Sequence, residues 1–565
     1  MALIAARIVA DAAMMQVFGT GLARLAYAGP GLPPGLERRL AVLLRVAAVA
    51  ALAALAAWLW LQTAAFEEAP PDLASVAGVA TTTWFGQVLS VQFGLTALAL
   101  GFGGSRLRWW VAAIAGGVAL SAEALHGHAW AMRSSGGSDW LVGSVALHLL
   151  AAGAWLGGLL PLVVLLAESG RWRVVLTRFS KLGYACVAAI AVTAGSQAWV
   201  LVGGLAGLFG TAYGWVALAK LTGFGVLTGI ACLNRWRLGP RRSTSLRGVI
   251  IAEAALGLAV VAGAGVLSSL PPAMHTQPVW PFEWQPTLSV LREAPEFRSE
   301  VVWAAVAIGV AAVLAGVALI RRRRRLALFG LASLIAAVAS PHLGLMFAEA
   351  TPATYAISPT GFSAASIALG ASLYPAHCAS CHGVSGTGDG PATAGLSVPA
   401  ANLLADHLLG HSDGELFWWV SHGIADPADA TNTRLVMPAA GLDDDAVWAL
   451  IDFLRARNAG HAADWPAPVA APGFGCPVRG GRIAVSPLAV TVVDGHCAST
   501  DPAALLAYRL LLGDAPAEVL VDHAGWLRDV RRPGWPDVAS AATSLATANA
   551  NPLAVANPAM HHHGG

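Results

Sequence analysis

Five consecutive residues, Cys378-Ala-Ser-Cys381-His382, carry the clearest chemistry in the chain. In a C-x-x-C-H motif the two thiols bond to the vinyl groups of a haem and the adjacent histidine reaches the iron. With 6 Cys and 16 His in 565 residues, a chance match is expected far less than once per chain. A zinc site would want a second Cys/His pair at finger spacing, and none follows closely. A Gly-Val-Ser-Gly-Thr-Gly-Asp-Gly stretch at 383–390 reads as a flexible, turn-rich loop. Further on, Met437-Pro438 precedes a helix-like run from Ala446 to Arg457, with Asp445 as an N-cap candidate. Met437, His407, His411 and His422 are the candidates for the second axial position of the iron.

A second set of donors lies among apolar residues. It comprises Glu123, His126, His128 and Met132, then His148, then Met274 and His275, and finally His342 and Met346. Imidazole with thioether suits copper, and thioether favours Cu(I). A lone intramembrane histidine is more often a hydrogen-bonded packing residue than a ligand, and a haem b between His148 and another histidine is a further reading. Arg7 and Asp11, spaced i, i+4, read as a structural pair, and Lys220, Asn234 and Glu253 as structural polar residues that need partners. Cys186 and Cys232 read as packing residues inside spans. The tail Met560-His561-His562-His563 offers weak copper capture.

The elements that must position these residues are mostly membrane spans. Hydrophobic residues make up 56% of the chain and charged residues only 12%, against about 25% charged in a soluble domain, which excludes a purely soluble or disordered protein. Ten apolar stretches are long enough to cross a bilayer: about 7–28, 40–62, 84–103, 109–126, 140–166, 179–202, 213–233, 248–268, 300–320 and 326–347. The first reads as an uncleaved anchor. Arginines and lysines crowd alternate connections (Arg38, Arg39 and Arg45; Arg106 and Arg108; Arg171 to Lys181; Arg235 to Arg247; Arg321 to Arg325), which are expected to be cytoplasmic. Both termini then lie outside. The five-arginine run reads as a topology signal rather than a phosphate patch, and a net charge of +2 without a basic-aromatic patch gives no sign of nucleic acid. Nothing resembles a Walker motif.

The expected fold is mainly α. A transmembrane bundle of about ten spans covers 1–348, a haem-bearing domain 349–460, a linker 461–473, a small α/β domain 474–545 and a flexible tail 546–565. In the α/β part, short β-prone runs (483–485, 490–493, 519–521) flank a helical run at 502–512. Cys476 and Cys497 are candidates for one structural disulfide.

Several segments resemble known families. His148-Leu-Leu-Ala-Ala-Gly-Ala-Trp155-Leu-Gly-Gly158, the Gly-His128-Ala-Trp segment, Leu-Pro-Pro-Ala-Met274-His275 and the run from Lys220 to Asn234 are similar to the CopD family of copper-handling membrane proteins, over about 1–275. The segment 345–457 resembles the class-I cytochrome c domain that some of these proteins carry as a fusion, with Met437 as distal ligand. Residues 519–528 resemble a degenerate thioredoxin-like domain, without a second C-x-x-C. The resemblance implies a copper transporter (uptake or resistance) with an electron-transfer domain rather than an ordinary enzyme. It implies one covalent haem c, and copper held at His126, His128, His148, Met274 and His275. It places the chain in a bacterial inner membrane, with cytochrome and C-terminus in the periplasm, served by an electron carrier or a copper chaperone. The alternatives are a membrane-anchored respiratory cytochrome and a copper-delivery assembly factor.

Overall fold

The structure is a computed structural model; it describes residues 1–29, 31–101, 107–134, 139–168, 172–234, 245–287, 297–321, 324–338, 346–426, 435–461, 469–477, 479–493 and 497–531. The chain divides into two compact units, Met1–Pro278 and Val279–Gly565.

The first unit is helical: α1 (Ala2–Ala26), α2 (Pro34–Glu67), α3 (Leu73–Thr82), α4 (Trp84–Gly101), α5 (Leu107–Ala122), α6 (His128–Ser134), α7 (Asp139–Leu156), α8 (Leu159–Glu168), α9 (Trp172–Leu201), α10 (Leu205–Gly210), α11 (Ala212–Leu233) and α12 (Ser245–Leu267). In hydrocarbon, backbone groups must pair within the segment, so apolar runs of this length fold as helices. The starts follow ordinary capping chemistry. Pro34 sits at the first position of α2, Asp72 accepts from the Ser75 amide, and Thr211 accepts from the Gly214 amide.

Helix α1 packs against α2, α5, α7 and α12. Its crossing with α7 depends on glycine, because a Cβ at Gly19 would overlap the Gly157 backbone and one at Gly157 would overlap Met15. Small residues at such a crossing let two backbones approach, the usual route to helix association in lipid. Gln16 and Tyr27 fix the contact by donating to the carbonyls of Gly157 and Gly158, at 2.9 and 2.8 Å.

Among the described residues, eight helices are long and apolar enough to cross a membrane. The other two expected spans are described over Leu107–Ala122, which continues into a 3-10 turn at Glu123–Leu125, and over Arg324–Val338.

The second unit opens with β1 (Trp284–Pro286), followed by α13 (Arg298–Arg321), α14 (Arg324–Val338) and β2 (Phe347–Glu349), which pairs antiparallel with β1. The cytochrome-like part comprises α15 (Ala364–His377), α16 (Ala379–His382), α17 (Asp413–His422), β3 (Ile424–Ala425), β4 (Leu435–Met437) and α18 (Asp444–His461). The remainder is β5 (Gly481–Val485), β6 (Val490–Val492), β7 (Cys497–Ser499), α19 (Pro502–Leu512), β8 (Ala517–Val521) and β9 (Leu527–Arg531).

The last five strands form one sheet in the order β7-β6-β5-β8-β9, and every pairing is antiparallel. A small α/β region was expected and is present. Cys476 and Cys497 are joined as a disulfide. The sheet shares a core with the cytochrome-like helices: Ile367 of α15 and Ala456 of α18 are buried with Ile483, Tyr508, Leu511 and Val519.

Candidate metal centres

The C-x-x-C-H residues sit where α15 ends and the single turn of α16 begins. Cys378 and Cys381 are both free thiols. The His382 Nδ1 lies 2.9 Å from the carbonyl oxygen of Ala401. Donation through Nδ1 leaves Nε2 with its lone pair available, the outer-shell arrangement that orients a metal-bound imidazole.

The glycine-rich loop after the motif is not loose. The amides of Gly388 and Gly390 donate to His382 and Cys381 carbonyls at 2.9 and 3.1 Å, and the Ala392 amide donates to Ser380. Thr393 Oγ1 also donates to the Cys381 carbonyl. Gly390 is required there, since a Cβ would lie 2.6 Å from the Cys381 backbone. The loop therefore wraps the motif and fixes its backbone, contrary to the flexible reading.

Met437 ends β4, opposite Ile424 of β3. Gly423, at φ 82°, caps α17 and has its Cβ position 2.5 Å from the Met437 carbonyl, so only glycine lets the strand pass there. Met437 and Cys378 flank one apolar cluster with Leu403, Phe417 and Trp419 around Leu416, Trp448 and Ile451. The rival histidines are engaged elsewhere. His411 lies 3.4 Å from Glu415 and edge-on to Trp419, while His422 stacks on Trp418 at 3.7 Å. His407 is exposed. Two thiols, an oriented imidazole and an apolar wall carrying one thioether suit a covalently held haem.

In the membrane unit, His128 Nε2 lies 3.1 Å from the Leu270 carbonyl, which brings α6 to the loop carrying Met274 and His275. Met132 packs at the same place, against the cluster of Leu201, Val202, Tyr213 and Ala273. Burial pushes the His128 pKa below its ordinary value; the Leu270 bond opposes this, and the charges of Arg7 and His275 add to it. The shift favours the neutral imidazole, the form that binds metal.

His126 lies apart from these residues. Its Nδ1 is 3.2 Å from Glu123, its ring meets Trp58 and Phe85, and Nε2 is buried without a protein partner. Glu123 is the partner of Arg7, at 2.7 and 3.0 Å, and also accepts from Gln92. Beside Asp11, one turn along its own helix, Arg7 thus also has a hydrogen-bonded partner 116 residues away in sequence.

His148 is separate again. Its Nδ1 is 2.9 Å from Thr193 Oγ1, and the Lys220 charge is the one within its reach. Asn234 donates to Glu253 at 3.0 Å. Among the described residues no three His, Cys, Asp or Glu side chains converge on one point. His128 and Met132 lie against the segment Leu270–Ala273 that precedes Met274 and His275. His342 and the tail histidines lie outside the described residues.

This geometry defines a polytopic membrane protein with a cytochrome c-type domain. Similarity to known proteins carries the description further. The family model "Copper resistance protein D-like, N-terminal domain" matches residues 1–138, "Copper resistance protein D" matches 173–267, and "Cytochrome c" matches 367–458. The chain is 31% identical over 132 residues to the copper transport protein CutJ of Bacillus subtilis (strain 168), over 22% of this chain and 24% of that protein. It is 33% identical over 134 residues to copper resistance protein D of Pseudomonas syringae pv. tomato, over 22% of this chain and 43% of that protein. The chain thus spans less than half the length of these curated relatives. No solved structure matches. The resemblance read from the sequence, to copper resistance protein D and to cytochrome c, is borne out by these matches.

Proposed function

We propose that the protein handles copper at the outer face of a bacterial inner membrane, in uptake or resistance, and exchanges electrons through a haem c in its periplasmic domain. The observation that carries the copper reading is the His128–Leu270 contact, which joins the donors of α6 to Met274 and His275. Two imidazoles with two thioethers form a donor set suited to Cu(I). His148 stands outside this set, because the Lys220 ammonium beside it disfavours a second cation. His126 would serve the site only indirectly, through Glu123.

Cys378 and Cys381 would carry the haem, His382 Nε2 would be the proximal ligand and Met437 the distal one. When bound, the haem supplies one-electron transfer. The chain's own part is to orient the imidazole through Ala401, exclude water with Leu403, Phe417 and Trp448, and present the thioether from β4. The alternating arginines support the orientation. A periplasmic electron carrier or copper chaperone is the expected partner.

The test is a Cu(I) titration of the purified full-length protein against its His128→Ala/His275→Ala variant, with haem content held equal. A loss of affinity of at least tenfold is expected; equal affinity would remove the copper site. For the haem, Met437→Ala is expected to keep the covalent haem, lower its reduction potential and let carbon monoxide bind. An unchanged potential would transfer the distal role to a histidine.

A further inference from the structure

A groove of about 440 Å³ runs between α11 and α12, walled by Trp215, Gly223, Leu256, Val260 and Gly263, with Lys220 the one charged side chain in its lining. Glycine on both helices opens it: a Cβ on Gly223 would lie 2.7 Å from Val260, and one on Gly263 would lie 3.4 Å from the Lys220 side chain. Trp215, in the groove wall, is 51% exposed on a helix long and apolar enough to span the membrane, so the groove opens toward lipid. An ammonium in such a position is costly and marks function when it has no counter-charge. Among the described residues Lys220 has no ion pair or hydrogen bond.

Within the groove itself Lys220 supplies a hydrogen-bond donor among otherwise apolar side chains.

Depth selects the occupant. Lys220 lies eight residues into α11, roughly 12 Å below its end. A phospholipid phosphate reaching that level would bring its charge into hydrocarbon, whereas a quinone ring is neutral and partitions there with its isoprenoid tail. We propose that this groove binds an isoprenoid quinone or its hydroquinone, a ring oxygen accepting from Lys220 Nζ and the tail lying along the apolar wall. Such pockets are mostly apolar with a few placed polar groups. The site is independent of the copper reading and of haem loading.

The test uses the full-length protein in nanodiscs of defined phospholipid with a photoreactive short-chain azidoquinone, competed by decylubiquinone, and peptide mapping of the label. The expected result is saturable, competed labelling of α11 and α12, weakened at least tenfold by Lys220→Met and by Gly263→Leu and kept within a few-fold by Lys220→Arg. Retained haem absorbance and an unchanged melting temperature show that the variants are folded. Should a variant fail to fold, the wild-type map decides. Labelling elsewhere, labelling that decylubiquinone does not displace (an acyl chain as occupant), or equal affinity in both folded variants overturns the proposal.

Discussion

Asp452 gives a quantitative test of how the second unit is held together. It lies on α18, 4% exposed, and Thr360 Oγ1 donates to its carboxylate. Burial pushes its pKa up from 3.8 to about 6; the hydroxyl bonds pull the other way, and Asp413 adds to the rise. A raised folded-state pKa means that the folded form holds the proton more tightly than the unfolded chain. The stabilisation is therefore full below about pH 4 and is lost as pH rises through about 6. A rise of 2.2 units, from 3.8 to about 6, at ~1.36 kcal/mol each amounts to roughly 3 kcal/mol.

Asp452→Asn keeps an oxygen to accept from Thr360 and removes the charge. The variant is expected to match the wild type at pH 4 and to exceed it by up to about 3 kcal/mol at pH 8, a gain of several degrees in melting temperature. Thermal melts followed at the haem absorbance, at whole pH values from 4 to 8, measure the difference. A pH-independent difference, or a variant less stable at pH 8, would refute the reasoning, because the carboxylate would then be contributing as an ion.

Other substitutions probe separate contacts. Arg7→Ala strands the Glu123 carboxylate in the bundle and is expected to cost about 3–5 kcal/mol; the double variant with Glu123→Ala recovers part of that in a melt, and no recovery would mean the pair is not the cause. Gly157→Leu drives a side chain into Met15 and abolishes the monodisperse protein in detergent chromatography, while Gly183→Leu, where a Cβ meets open space, leaves it intact. Cys476→Ser with Cys497→Ser removes a crosslink across 21 residues and is expected to destabilise the C-terminal sheet by about 2–4 kcal/mol, read as faster hydrogen exchange in β5 to β7; unchanged exchange would show the crosslink to be dispensable.

The parts of this architecture that were legible in sequence are those fixed by local spacing. Cys378, Cys381 and His382 are adjacent, and one helical turn delivers them together whatever the rest of the chain does. Apolar runs likewise announce helices, because a bilayer leaves the backbone few alternatives. What failed was pairing at a distance. Arg7 has Asp11 one turn away on its own helix, but its hydrogen bonds go to Glu123, which is brought in by the packing of α1 on α5. His128 and His148 read as one group, yet a carbonyl at Leu270 claims one and Thr193 claims the other. The strands β5, β6 and β8 were visible as β-prone runs, but no residue among them states that β8 returns to pair with β5. The loop 383–390 looked mobile because glycines permit motion; here they permit close approach.

The shared core of α15, α18 and the C-terminal sheet bears on biogenesis. Ile367 and Ala456 find their cover only when Tyr508, Leu511 and Val519 have been synthesised. At roughly 5–20 residues per second, the ribosome needs on the order of ten seconds to travel from the first helix to the last of these strands. Throughout that interval Ile367 and Ala456 lack the side chains that bury them in the finished fold. The outer face of these two helices is therefore among the last apolar surfaces of the unit to be covered.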